Sequence, residues 1–435
     1  MKDLAATTAA TSTPIRKSVA EPMTFLWVIN FDYPVRMHDG STLRHVNYAR
    51  ELQASGHTVY FGVKLDPKYR DESREWFREL REHGVISDFF ELSYNPPPWR
   101  LRLAGITLHP YLANRILKAY QSETATAVSE LIAKLEVNVL ILSDRQFWFL
   151  ADSRTPLETL LIDACDCVSL HLVRQTWRHV KARRFGRKHL MLRHALYTIS
   201  EERYYARRGT AAMVVSPVDH DVLTRIAGDS SRVVTLLNGV RFPPTRPAVQ
   251  KIKNRVIFSG NMDFPPNHEA AIWFLDCVLP LVRKQVPDVQ FVIAGANPLP
   301  CVKQRAVGNV VVTGYVEDLD KEIASSSLYV APMVSGSGFK NKVVEAIANR
   351  TYVVATPMAV EFLDKDIREL IAVAQSPEQM AEMIVELLRN PTSCASRLSA
   401  LYDRIALDFS WSRRADELLE IIRDSSRQKG MRQSA

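Results

Sequence analysis

The 435-residue chain lacks any uninterrupted apolar run of the roughly 18 residues that a membrane-crossing helix requires, so no transmembrane helix is expected. Cysteine is scarce. Cys165, Cys167, Cys277, Cys301 and Cys394 are odd in number and scattered, which excludes a dense disulfide framework and points to reduced thiols in a cytosolic compartment. Cys165 and Cys167 have the wrong spacing for a zinc knuckle and no second pair to complete four ligands. They read as buried thiols at a strand end. The N-terminal MKDLAATTAATSTPIRKSVAEP has no apolar core of signal-peptide length and reads as a disordered leader over 1–22. Repeats at solenoid periods are absent as well.

Acidic residues are missing from one stretch altogether. Between Cys167 and Ser200 there is no Asp or Glu, against Arg174, Arg178, Lys181, Arg183, Arg184, Arg187, Lys188 and Arg193. Leu172, Val173, Trp177, Phe185, Leu190 and Met191 are interleaved with them. An interfacial segment on an anionic membrane surface and a solvated basic helix face both fit this pattern. The net charge of +8 and pI near 9.2 suit a polyanionic partner in general: nucleic acid, anionic lipid or a phosphorylated substrate.

What is present is an α/β rhythm. At this length two domains are the natural division. In the first half, FLWVIN (Phe25 to Asn30), HTVYFGV, VNVLIL (Val137 to Leu142), ETLLIDA (Glu158 to Ala164) and AAMVVS (Ala211 to Ser216) read as strands. Helices are expected over about Ser41 to Ser55 and Leu112 to Leu135. The proline-rich RFPPTRPAVQKIKN, 241–254, reads as a linker. The second half restarts with RVIFSG, a helix from Asn267 to Gln285, VQFVIAG, VVVTGYV, LYVAP, a helix from Gly338 to Asn349, and YVVAT, which makes five strands. The expected divisions are an N-terminal domain over 23–240, a C-terminal domain over 255–408, a helix over 409–425 packing back on the first domain, and a disordered tail over 426–435.

The most informative segment is SGSGFKNKVVEAIANR, 335–350. Ser335, Gly336, Ser337 and Gly338 let backbone N–H groups approach a ligand closely, and a following helix N-terminus adds a positive dipole end that favours phosphate. Lys342 can neutralise a diphosphate, and Glu345, one turn on, can accept from ribose hydroxyls. The alternative reading of this segment is a glycine-rich turn before a surface helix with an incidental Lys342–Glu345 pair.

This segment resembles the donor-site helix of retaining glycosyltransferases of GT-B architecture, the group 1 (family-4-like) glycosyltransferases. The pattern of Gly338, Lys342, Glu345 and Ala346 is similar to sugar transferases of bacterial exopolysaccharide and exosortase-linked clusters. FSGNMDFPPNHEAAIWF, FVIAG, VTGYVEDL, YVVAT, LIDACDCVSL, VVSPVDHDVL and LLNGV fit the same resemblance. It implies an α/β GT-B fold of two facing Rossmann-like domains. The implied activity is metal-independent transfer of a sugar from a UDP- or GDP-sugar, with retention, to a glycan or lipid-linked acceptor. No cofactor and no nucleic acid is implied. Glu345 matches the second glutamate of the family's paired motif, and Ser337 stands where the first is expected. Gly260 and Asn261 match the loop after the first strand of the C-terminal domain, where many relatives carry Arg and Lys. Gly314, Tyr315 and Val316 match the nucleobase turn. In the N-terminal half Gly40 matches the first-loop glycine, while Asp144, Asp166 and Asn238 are cleft candidates on the acceptor side. The histidine that relatives place after the strand of Val137–Leu142 is replaced by Ser143, Asp144 and Arg145, with His45 and His171 as substitutes. Asp163 and Asp166 could together position an acceptor hydroxyl, or Asp166 could cap a helix. The implied location is cytoplasmic and peripheral to the membrane. A GT-B sugar-nucleotide epimerase, an inactive scaffold in polysaccharide assembly and a nucleic-acid-binding protein stay open as alternatives.

Overall fold

A computed structural model describes residues 21–31, 40–94, 116–152, 157–181, 188–228, 232–243 and 249–433. The leader expected over 1–22 and the first residues of the expected 112–135 helix lie largely outside these. The chain forms two compact units. One takes the residues up to Leu237 and again from Arg414 onward; the other is Asn238–Arg413.

The first unit alternates strand and helix: β1 (Thr24–Phe31), α1 (Gly40–Ala54), β2 (Thr58–Leu65), α2 (Arg70–Glu82), β3 (Asp88–Glu91), α3 (Ser122–Lys134), β4 (Val139–Ser143), β5 (Thr159–Cys165), α4 (Val168–Lys181), α5 (Lys188–Ala206), β6 (Ala211–Val214), α6 (Pro217–Ala227) and β7 (Val233–Thr235). Its seven strands run in the order β3-β2-β1-β4-β5-β6-β7. Every pairing is parallel. Parallel sheets are covered on both faces, which is why β1 and β4 read as continuous apolar runs rather than alternating ones. Phe25, Leu26, Trp27 and Val28 are all fully buried. Helix α2 buries Trp76, Phe77 and Leu80 at helical spacing, and Trp76 stacks on Phe31 with ring centroids 5.1 Å apart. At α6 the ends are written in the sequence. Ser216 accepts from the Asp219 N–H, Pro217 takes the first turn, and Gly228 closes the helix at φ +66°.

The second unit contains β8 (Ile252–Ser259), α7 (Pro265–Trp273), α8 (Leu279–Gln285), β9 (Gln290–Ala294), β10 (Val310–Gly314), α9 (Leu319–Ser325), β11 (Ser326–Ala331), α10 (Asn341–Ala348), β12 (Val353–Ala355), β13 (Ala372–Val373), α11 (Pro377–Arg389) and α12 (Ala395–Asp408), with three one-turn α-helices and one 3-10 turn between them among the described residues. The order β10-β9-β8-β11-β12-β13 is the doubly wound one. There are six strands rather than five, because β13 is two residues long and is specified by pairing with β12 rather than by its own pattern. Strand β8 starts at Ile252, inside the stretch 241–254. The single helix expected over 267–285 is interrupted by a π-helical turn at Phe274–Val278. Pro280 lies just beyond it and cannot donate to the carbonyl four residues back, so the register shifts there.

The closing helix α13 spans Trp411–Gln433 and belongs to the first unit from Arg414 on. It is helical well into 426–435, where a disordered tail was expected, since its Arg, Gln and Lys residues support helix and no proline stops it.

Candidate functional site

In the second unit the strand order reverses between β8 and β11, and open α/β sheets bind ligands at the carboxyl ends of the strands flanking such a point. β8 ends at Ser259 and delivers Gly260; β11 ends at Ala331 and delivers the loop to Lys340. Gly260 is small because the side chains of Asn267 and Lys342 crowd it. A Cβ there would lie 2.7 Å from Asn267 Nδ2 and 3.1 Å from Lys342 Nζ, and a Cβ on Gly295 would lie 2.0 Å from the Gly260 carbonyl. The turns after β8 and β9 therefore meet backbone to backbone.

Lys342 Nζ donates to Asn267 Oδ1 and lies 4.7 Å from the centroid of the Phe258 ring. Asn267 Nδ2 in turn donates to the Asn261 carbonyl at 2.9 Å, which binds the Gly260–Asn261 loop to the start of α7. Asn261 Oδ1 accepts from the Asp263 N–H at 3.2 Å. The ammonium of Lys342 thus stands beside the glycine turn after β8, where no Lys or Arg is supplied by the loop itself.

The helix carrying Lys342 starts later than expected, at Asn341 rather than Gly338. Gly336 at φ +110° and Gly338 at φ +72° occupy left-handed conformations that a right-handed helix cannot include. Buried Lys340 folds this loop back, its Nζ donating to the Ser337 carbonyl at 2.7 Å and the Gly338 carbonyl at 2.9 Å. Ser335 Oγ donates to Glu269 Oε2 at 2.6 Å. Asn341, the first helical residue, accepts at Oδ1 from Asn238 Nδ2 at 3.1 Å. Asn238 is therefore a neighbour of the start of α10, a place the sequence did not assign it.

Glu345 faces Asp320, Lys342 and Arg241. Burial pushes its carboxyl up to about 7, with Asp320 adding to the rise and Lys342 and Arg241 opposing it. Burial pushes Lys342 down to about 7, opposed by Glu345 and assisted by Lys340. Asp320 is itself held by Arg241 at 2.8 Å and Asn349 Nδ2 at 2.9 Å. Gly314, at φ +70°, ends β10 and its carbonyl accepts from the Gly295 N–H at 2.9 Å. Tyr315 is 64% exposed and Val316 half-buried beside it.

The candidates in the first unit separate. Gly40 opens α1. Asp144 stands just past β4 at φ +67°, and its Oδ2 accepts from the Asn30 N–H at 2.9 Å, tying β1 to β4. Asp166 is exposed after β5. Asp163 does not join it in a carboxylate pair, which removes one of the two readings of these residues. Asp163 is fully buried and held by Arg44, with Nε at 3.2 Å from Oδ2 and Nη2 at 3.1 Å from Oδ1, and by Ser143 Oγ at 3.0 Å. Burial alone would raise its carboxyl, but the adjoining Arg44 and the contact with His45 hold it far below the usual range. His45 is likewise buried, packed on Trp27 with its Nε2 3.7 Å from Asp163, so it is a core residue rather than a substitute for the missing histidine. His171 is half-buried in the first turn of α4. In the basic stretch 167–200, the side chains of 178–191 and 193 lie outside the described residues.

Asn267, Glu269, Gly295 and Lys340 complete the second-unit cluster and were not read from the sequence. Gly295 alone had a legible signal, a glycine directly after the strand FVIA.

Residues 253–390 match the family described as glycosyl transferases group 1. An uncharacterized protein of the cps region of Klebsiella pneumoniae is 28% identical over 144 residues, 31% of this chain and 37% of its own length. The phosphatidyl-myo-inositol mannosyltransferase of Mycobacterium leprae is 28% identical over 204 residues, 44% of this chain and 53% of its own. The chain therefore spans about half or less of the length of these curated relatives. Among solved structures, Anabaena HepE in complex with UDP-glucose matches with a TM-score of 0.61 at 12% identity, over 92% of this chain and 100% of its own. The two parallel-sheet units have the GT-B fold. No described helix is long and apolar enough to cross a membrane.

Proposed function

We propose that the chain is a retaining GT-B glycosyltransferase, taking a sugar from a UDP- or GDP-sugar to a glycan or lipid-linked acceptor in polysaccharide or glycolipid biosynthesis. The observation that carries this reading is the convergence of Lys342, Gly260 and the Ser335–Lys340 loop at the switch point of the second sheet. The matched family of that unit and the UDP-glucose held by HepE support the nucleotide-sugar donor. In this reading Lys342 meets the diphosphate, and backbone N–H groups around Gly338 and α10 meet its developing charge as it departs. Glu345 accepts from the ribose hydroxyls. Gly314, Tyr315 and Val316 border the nucleobase. The nucleotide-sugar is a substrate, and no resident cofactor enters the reaction.

Glu345→Gln tests the assignment. Charge-assisted hydrogen bonds to ribose are worth about 1.5–3 kcal/mol, so the variant binds UDP or GDP about 10- to 100-fold more weakly by calorimetry. Its melting temperature stays near that of the parent. Unchanged affinity in the folded variant refutes the donor site. Proton NMR of the product reads the anomeric configuration, and inversion removes the retaining assignment. Binding without turnover would favour the scaffold reading that Ser337, in place of the first motif glutamate, leaves open.

A further inference from the structure

We infer that Glu269 selects the sugar of the donor, favouring a neutral hexose read through its hydroxyls over a uronate. The inference rests on the donor reading above. That reading places the ribose at Glu345 on α10 and the diphosphate at Lys342, one turn nearer the helix N-terminus. In a nucleoside-diphosphate sugar the diphosphate stands between the ribose and the hexose. Continued in the same direction, the hexose passes the start of α10 at Asn341 and reaches the loop before it. The groups presented by that loop and its supports therefore read the sugar.

The loop has no acidic residue of its own between Pro332 and Lys340. Its carboxylate comes from α7. Ser335 is only 5% exposed, and its Oγ donates to Glu269 Oε2 at 2.6 Å. One residue on, a Cβ added to Gly336 would lie 3.5 Å from the Pro266 side chain and 4.0 Å from Lys340 Cε. Pro266 and Glu269 are three residues apart on α7 and share the face that lies along Ser335 and Gly336. Asn267, between them, is turned to Lys342. Helix α7 thus sets one group at the lysine of the diphosphate and one carboxylate at the loop beyond it. The loop's own cation, Lys340, is held by the Ser337 and Gly338 carbonyls. Glu269 is half-buried rather than sealed in the core. A carboxylate offers about four acceptor sites, so the bond from Ser335 does not exhaust it. Hexose hydroxyls are donors that such a group accepts in charge-assisted bonds. A uronate would instead set a second carboxylate against Glu269, and juxtaposed like charges discriminate against the wrong ligand.

The test is calorimetry on the full chain with UDP and GDP, each bare, with a neutral hexose and with a uronate. The neutral ligands are UDP-glucose, UDP-galactose and GDP-mannose; the uronates are UDP-glucuronate and GDP-mannuronate. In the base series that binds, the tightest neutral ligand is expected to exceed the uronate by about tenfold or more. Glu269→Gln leaves the bare nucleotide within about twofold of the parent, binds the neutral ligand about tenfold more weakly and narrows its margin over the uronate. Its melting temperature stays near that of the parent, and Glu269→Asp keeps part of the preference. The assignment is overturned if Glu269→Gln weakens bare nucleotide and sugar nucleotide by the same factor, or leaves both unchanged. It is also overturned if the parent binds the uronate as tightly as the neutral sugar. Ser335→Ala breaks the same bond but keeps the carboxylate; if it reproduces the whole loss, Glu269 only holds the loop and the assignment falls. A parent that binds neither UDP nor GDP marks the separate failure of the donor reading, and takes this assignment with it.

Discussion

Lys342 and Glu345 stand three residues apart on α10, and burial drives both toward neutrality, Lys342 down and Glu345 up, each to about 7. A diphosphate needs the ammonium charged and the ribose contact is strongest with the carboxylate ionised. The first condition is lost as pH rises through 7 and the second as pH falls through 7. Affinity for a nucleotide-sugar, whose diphosphate does not titrate in this range, is therefore expected to peak near neutrality and decline on both sides, by at most about a decade per pH unit. Calorimetry at about pH 6, 7 and 8.5 reads this directly, and Glu345→Gln is expected to remove the acid limb only. A flat profile would show that neither group meets the ligand. At this scale Lys342 and Glu345 were legible because charged residues at helical spacing behind a small-residue turn are unusual. Asn267 was not. An asparagine early in a helix reads as ordinary, and its role exists only because α7 brings it against Lys342.

Among the elements, α1 is held to the first sheet by a buried network rather than by apolar packing alone. Arg44 binds both oxygens of Asp163 on β5, and its Nη1 donates to the Leu236 carbonyl at 3.0 Å. Tyr48 OH donates to the Leu237 carbonyl at 2.7 Å, and Trp27 Nε1 reaches Ser143 Oγ at 2.7 Å. Replacing Arg44 by Met leaves a buried carboxylate without its counter-charge, which costs about 3–5 kcal/mol. Chemical denaturation is expected to show that loss, and a loss within experimental error would demote the pair. The sign of the pH dependence follows from the depressed Asp163 carboxyl. Its stabilisation is fully present above the unfolded aspartate value of about 3.9 and is lost as pH falls below it. Melting curves between about pH 5 and 3 should therefore fall more steeply for the parent than for Asp163→Asn. The strand ETLLIDA was legible as a strand, but whether its aspartate faced solvent was not. A polar residue at a strand end is ambiguous until a partner such as Arg44 arrives from another element.

At the scale of the whole molecule, the second unit has its own joined ends. The Val240 N–H donates to the Phe409 carbonyl at 2.7 Å, and Val240 pairs with Ser410 as an isolated bridge. Gly239 lies so close to Trp411 that an added Cβ would come within 2.5 Å of its ring. Chain ends that pair with each other mark a unit that can be excised. A fragment of Asn238–Arg413 is expected to melt cooperatively and to bind UDP or GDP, more weakly than the full chain. A fragment trimmed to 255–408 loses both the Val240 pairing and the first three residues of β8, and should be the less stable of the two. If neither fragment binds nucleotide in calorimetry while folded, the donor contacts are not confined to this unit.

The sequence by itself determined the class of the fold, because parallel strands buried on both faces must be apolar and the crossover helices must be amphipathic, and both periods are local. It also determined the glycine positions, since left-handed conformations at Gly336 and Gly338 leave few other residues available. Only the tertiary structure decided where α10 starts, that β13 is a strand, that Asp163 and His45 are core, that Asn238 meets Asn341 and that Asn267 meets Lys342. Each of those outcomes depends on a contact between residues far apart in the chain, and no local pattern of charge or hydropathy encodes which distant partner a side chain will meet.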